Sequence, residues 1–217
     1  MTAKTRIALA EAEALADELL ALLRPACIRL EVAGSIRRRK PDCGDVELVA
    51  IPKLAYSDDL FGLRDDVHPF NELDALCAEL REAGVLGERL DKNGRRAWGS
   101  AMKRATFKGF ALDLFTCTPE QWGVTFAIRT GGALFSHALV TARHVEVRDE
   151  SGRSYGGGLC PPWLHFRDWR VKRTDEAGNP FPTPEEEDVF DLLGVPFIPP
   201  QERDAFMEAR AAAGVRR

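Results

Sequence analysis

Asp45 and Glu47 stand two residues apart at the head of the apolar run "DVELVAIP", and Asp113 lies between two leucines in "FALDLFTC". In a strand, residues i and i+2 point to the same face, so Asp45 and Glu47 project together while Val46 and Leu48 enter a core. Two carboxylates side by side repel, and a positive group between them relieves the repulsion. If the two runs pair as strands, Asp113 becomes a third acid at one point. Oxygen donors without His or Cys select Mg²⁺ or Mn²⁺ rather than zinc.

Ahead of these acids comes "AGSIRRRKPDCG". A turn at Gly34-Ser35 can offer backbone N–H groups and a small hydroxyl to a phosphate, with the cations from Arg37 to Lys40 beside it. A magnesium-bound triphosphate would then hold the opposed charges apart. Taken singly, each feature has another reading: an ordinary turn, a solvated basic loop, an exposed strand face, a buried acid with a local partner. Their order and spacing together favour the nucleotide.

The elements that would position these groups follow from periodicity. Residues 5–24 carry apolar residues at helical spacing, and "CIRLEVAG" alternates as a strand ending at Gly34. "DVELVAIP" is a strand stopped by Pro52, residues 57–69 read as irregular, and "FNELDALCAELREAG" is a helix with Gly84 at its C-terminal cap. "SAMKRATF" and "FALDLFTC" flank Lys108-Gly109 as a hairpin. From Thr118 a capping signature opens helical material broken at Gly131-Gly132; residues 151–168 read as a long loop; the end holds a short capped helix and a proline-braced extended segment. The division falls into residues 1–119 and 120–217.

Composition limits the partners. Net charge is −4, hydrophobic content 45% and charged content 29%, which excludes a disordered or generally polyanion-binding chain. Basic strips nevertheless run from Arg89 to Lys108 and from Arg167 to Arg173, and Lys103, Arg104, Arg170, Lys172 and Arg173 are the expected nucleic-acid contacts. The five cysteines are scattered without CxxC spacing, which fits a reducing, cytoplasmic setting. No signal peptide or membrane span is expected, and a monomer is expected.

Gly-Ser, nine residues and then Asp-Val-Glu, with a later apolar-flanked Asp, resembles the nucleotidyltransferase superfamily. The longer strings "GSIRRRK", "GDVEL", "LDLFTCTPEQWG", "RTGG" and "PTPEEEDVFDLLGVPFIPPQERD" resemble family X DNA polymerases in a minimal form. That resemblance implies an α+β fold: a palm (1–119) whose mixed β-sheet is flanked by helices, plus a small α+β thumb (120–217). It implies that Asp45, Glu47 and Asp113 hold two Mg²⁺ ions, with Mn²⁺ able to substitute, and line a solvent-filled cleft, so that removing them spares folding. Gly34, Ser35 and Arg38 would meet the β- and γ-phosphates of a nucleoside triphosphate, with Arg6 as a further phosphate ligand. Arg129, Thr130, Gly131 and Gly132 would border the sugar and base.

The implied activity is extension of a primer 3′-hydroxyl on primer-template or gapped DNA, of the repair type. Glu47 replaces the family's usual Asp, Ile128-Arg129 its Tyr-Phe pair, and Gly132 its Ser; the Gly131-Gly132 pair is expected to loosen the backbone near the sugar. Two rivals are a template-independent transferase acting on RNA or a small acceptor, and a non-catalytic nucleic-acid-binding module.

Overall fold

The computed structural model describes residues 5–55, 70–90, 93–175 and 179–214. The segment 57–69 expected to be irregular therefore lies outside the described residues. The chain divides into two compact units, residues 1–32 with 42–117, and residues 33–41 with 118–217.

The first unit contains β1 (Ile7–Ala8), α1 (Leu9–Leu23) and β2 (Cys27–Val32). The chain then lends α2 (Gly34–Arg37) to the second unit and returns as β3 (Asp42–Cys43), β4 (Val46–Pro52), β5 (Leu54–Ala55) and β6 (Phe70–Asn71). It closes with α3 (Glu72–Glu82), β7 (Leu86–Glu88), β8 (Met102–Phe107) and β9 (Phe110–Thr116). Five strands form one mixed sheet in the order β2-β4-β9-β8-β7, with β4 parallel to β9 and the other pairs antiparallel. Helices flank it. In α1, Ala12, Ala16, Leu19 and Leu23 are buried at helical spacing. Helix α3 begins where the Asn71 side chain accepts the Asp74 N–H at 3.0 Å. The β8–β9 turn is Lys108-Gly109, both at positive φ (49° and 80°), the geometry that matches a right-handed strand twist.

The second unit adds α4 (Trp122–Thr130), α5 (Ala133–Val140), β10 (Glu146–Arg148), β11 (Ser154–Gly157), β12 (Leu164–Arg167), β13 (Arg170–Arg173), α6 (Glu186–Leu193) and α7 (Arg203–Gly214). Its core gathers Phe135, Leu139, Val171, Phe190, Leu193 and Met207. Thr118 and Gln121 form the expected capping box. The expected loop at 151–168 instead contributes two hairpin strands, β11 and β12. Its glycines permit close backbone approach: a Cβ on Gly158 would lie 1.9 Å from the Thr141 carbonyl oxygen. The tail expected to be extended ends in α7, whose Met207 and Ala211 are buried one helical turn apart.

Strands β12 and β13 are joined by Asp168-Trp169 alone, both left-handed (φ 52° and 58°). For residues with a Cβ that conformation costs about 1–2 kcal/mol each. Among the described residues no helix is long and apolar enough to cross a membrane.

Candidate functional site

In the first unit the two central strands set the acids. Glu47 on β4 is the register partner of Asp113 on β9, with Val46 opposite Leu112 and Leu48 opposite Leu114. Register partners on adjacent strands share a face, so the two carboxylates emerge side by side. The leucines around them are buried, as are Val46 and Leu48, so the apolar alternation is what fixes the acids' orientation. Asp45 stands at the entrance to β4, two residues before Glu47.

The neighbourhood of Asp113 is basic. Its Oδ1 accepts a hydrogen bond from Arg89 Nη1 at 2.7 Å, and Arg104 Nε lies 3.5 Å away on the strand directly opposite. Asp113 is only 6% exposed, so it does not line an open solvent cleft; the two guanidiniums compensate a buried charge. Among the described residues no three His, Cys, Asp or Glu side chains stand as a ready metal-holding group. The donor set and the Glu47–Asp113 register nevertheless suit a hard divalent cation, which would take over the compensation that Arg89 now provides. Arg6, half exposed, donates to the Asp42 carboxylate and, at 2.8 Å, to the Asp42 carbonyl.

In the second unit, α2 begins at Gly34 in the left-handed region (φ 61°). Ser35 Oγ is shielded from solvent and has no hydrogen-bond partner. A buried hydroxyl without a partner is unusual, and a phosphate oxygen is the acceptor that would satisfy it. The following arginines are spoken for. Arg37 grips Glu186 with two hydrogen bonds (3.1 and 2.7 Å) and donates to Thr130 Oγ1 at 2.7 Å. Arg38 Nη1 donates to the carbonyls of Thr130 (2.5 Å) and Gly131 (3.0 Å). Lys40 pairs with Asp204.

Glu186 also accepts from Arg203 Nη2 at 2.7 Å, and Arg203, fully buried, donates to the Ile198 carbonyl at 3.1 Å. Burial pushes the Arg203 guanidinium below its ordinary pKa, with the Glu186 charge opposing that shift. Glu186 and Arg203 were not among the expected site residues, and Arg37 was expected only as one of the cations beside a phosphate. In the sequence Arg37 is one of four equivalent cations and Glu186 reads as part of a helix cap, a role that Glu185 and Asp188 perform.

The structure thus gathers Arg38, Thr130 and Gly131, although Arg38 braces the α4–α5 junction instead of extending freely. Gly131 and Gly132 have ordinary φ values (−60° and −62°), so the expected loosening is replaced by close packing. A Cβ on Gly131 would meet Phe135 at 2.7 Å, and one on Gly132 would meet Asp204 Oδ1 at 2.4 Å. The Arg129 guanidinium lies 4.4 Å from the Trp169 ring centroid.

The basic strips divide. Lys103 is 3% exposed and donates to Asp74 and to the Gly99 carbonyl, so it serves the fold and is not presented to a phosphate. Arg104 is turned to Asp113. Arg170 and Arg173 are exposed and Lys172 is half-buried, all on β13, with Arg173 paired to Asp175.

Residues 125–204, within the second unit, match the family described as DNA polymerase beta thumb. Over 178 residues, 79% of this chain, the sequence is 26% identical to DNA polymerase lambda of Rattus norvegicus. The chain spans about 28% of the length of that curated relative.

Proposed function

We propose that this chain, which is similar to the DNA polymerase beta thumb family and to DNA polymerase lambda, is a metal-dependent nucleotidyltransferase that extends a primer 3′-hydroxyl with nucleoside triphosphates, in the manner of a gap-filling DNA polymerase. The observation that carries this reading is the in-register parallel pairing of Glu47 with Asp113 between buried leucines.

In the reaction a bond forms between the primer 3′-oxygen and the α-phosphorus, the α–β phosphoanhydride bond breaks, and pyrophosphate leaves. Asp45, Glu47 and Asp113 would hold two Mg²⁺ ions, which when bound lower the pKa of the attacking hydroxyl and offset charge on the leaving group. Asp113 is assigned to receive the hydroxyl proton. Ser35 Oγ donates to a non-bridging phosphate oxygen, which satisfies its orphaned hydroxyl. Arg38 acts indirectly, holding the Thr130 and Gly131 carbonyls and with them the end of α4. Little covalent chemistry falls to the protein, and positioning dominates.

A labelled primer, with and without template, offered each nucleotide in turn with Mg²⁺ or Mn²⁺, tests this. Extension directed by the templating base is expected. Extension indifferent to template would indicate a terminal transferase, and no extension with either metal would contradict the reading.

A further inference from the structure

The β12–β13 turn contains a residue that its backbone does not favour. Two-residue turns with both φ values positive ordinarily take Asn or Gly, because a Cβ is strained there. Trp169 occupies the second position at φ 58°, while 39% of its surface remains exposed. Asn would make the turn with less strain, so turn formation does not account for the tryptophan, and its packing still leaves a substantial part of the indole open to solvent. A strained residue held in place at a surface is a reason to look for a ligand.

Its surroundings indicate which ligand. The Arg129 guanidinium sits 4.4 Å from the indole centroid, within cation–π range, so one flat cationic group already stacks against this ring. Arg167 and Arg170 flank the turn as cross-strand partners, and both are exposed. From Arg167 to Arg173 there are four cations and one acid, Asp168, whose carboxylate lies 3.7 Å from Arg167. An accessible aromatic surface between exposed arginines is the chemistry of single-stranded nucleic acid: bases stack on the ring and neighbouring phosphates meet the cations.

We propose that Trp169, presented at the β12–β13 tip and stacked on Arg129, is a base-stacking platform for an unpaired nucleobase, with Arg167 and Arg170 taking the adjacent phosphates. The proposal rests on the reading that nucleic acid is this protein's substrate.

Equilibrium binding tests it without nucleotide or metal, so the outcome is independent of catalysis. The probes are a fluorescein-labelled short oligothymidylate and an abasic deoxyribose-phosphate chain of equal length, read by anisotropy at low salt on the full chain. Wild type is expected to bind the oligothymidylate more tightly than the abasic chain. Trp169→Asn suits the turn and should melt no lower than wild type, yet weaken oligothymidylate binding about tenfold, to the abasic level. Trp169→Phe should retain most of the preference. Arg170→Ala should weaken both probes alike and reduce the salt slope by about one.

If Trp169→Asn binds like wild type, or wild type does not distinguish the probes while still extending primers, the stacking role is wrong and the polymerase reading stands. If wild type binds neither probe, both fall.

Discussion

Asp113 is a buried acid under arginine compensation, and that changes what its removal should do. Truncation to Ala would leave Arg89 and Arg104 facing each other without their shared carboxylate, so Asp113→Ala should lower the melting temperature as well as abolish nucleotide transfer. Asp113→Asn, which keeps the shape and one acceptor oxygen, should be milder for stability and equally inactive; thermal melts beside single-turnover rates separate the two effects. Glu47 makes a finer test of ligation. Glu47→Asp keeps the charge and shortens the reach by one methylene, so it should retain much more activity than the isosteric Glu47→Gln, and equal loss in both would remove Glu47 from the ligand set.

Two thiols give a pH test of burial. Burial pushes Cys27 and Cys77 up to about 11. Folded protein should therefore resist alkylation at these positions near neutral pH. Because the unfolded thiols ionise near 9, these groups destabilise the fold progressively as pH rises from about 9 toward 11. Fast labelling of Cys77 at pH 8 would show that the α3 packing is wrong.

At the scale of elements, α2 is held within the second unit by charge, through Arg37 on Glu186 and Glu186 on Arg203. Glu186→Ala would strand two guanidiniums, one of them fully buried, and should cost about 3–5 kcal/mol in denaturant melts. Glycine spacing makes a parallel case on α4. A Cβ on Gly123 would lie 2.0 Å from the Glu185 carbonyl oxygen, backbone that cannot swing aside. Gly123→Ala should therefore destabilise by about 1–3 kcal/mol, more than Gly132→Ala, whose clash is with the movable Asp204 side chain.

These contacts show where sequence reading stops. Strand alternation around Asp113, the helical stretch of α3 ending at Gly84 and the Lys108-Gly109 turn are local and were legible, because each follows from side-chain period or turn chemistry within a few residues. The Arg37–Glu186 pair joins residues 149 positions apart, and nothing local separates Arg37 from Arg38 or Glu186 from Glu187. Likewise the Gly131-Gly132 pair looks like flexibility in one dimension and proves to be packing in three. Lys103 fails for the same reason: a lysine in a basic strip reads as exposed until the neighbouring Asp74 folds over it.

For the whole molecule, the overall charge of −4 makes nucleic-acid binding dependent on local cations such as those of β13, so affinity should fall with added salt. The resemblance drawn from the long strings extends across both units, whereas the match to the thumb family lies within the second alone. The 178-residue similarity to DNA polymerase lambda is longer than the second unit and so reaches into the first, where the Glu47–Asp113 pairing is the geometry proposed to support nucleotidyl transfer. Pyrophosphate release on a primed template, measured with Mg²⁺ for wild type and for Asp113→Asn, tests that claim most directly. Wild type is expected to release one pyrophosphate per nucleotide added, and Asp113→Asn to do so at a rate reduced at least a hundredfold, a barrier increase of about 2.7 kcal/mol or more. Retention of more than about a tenth of the wild-type rate, a barrier change below ~1.4 kcal/mol, would contradict it.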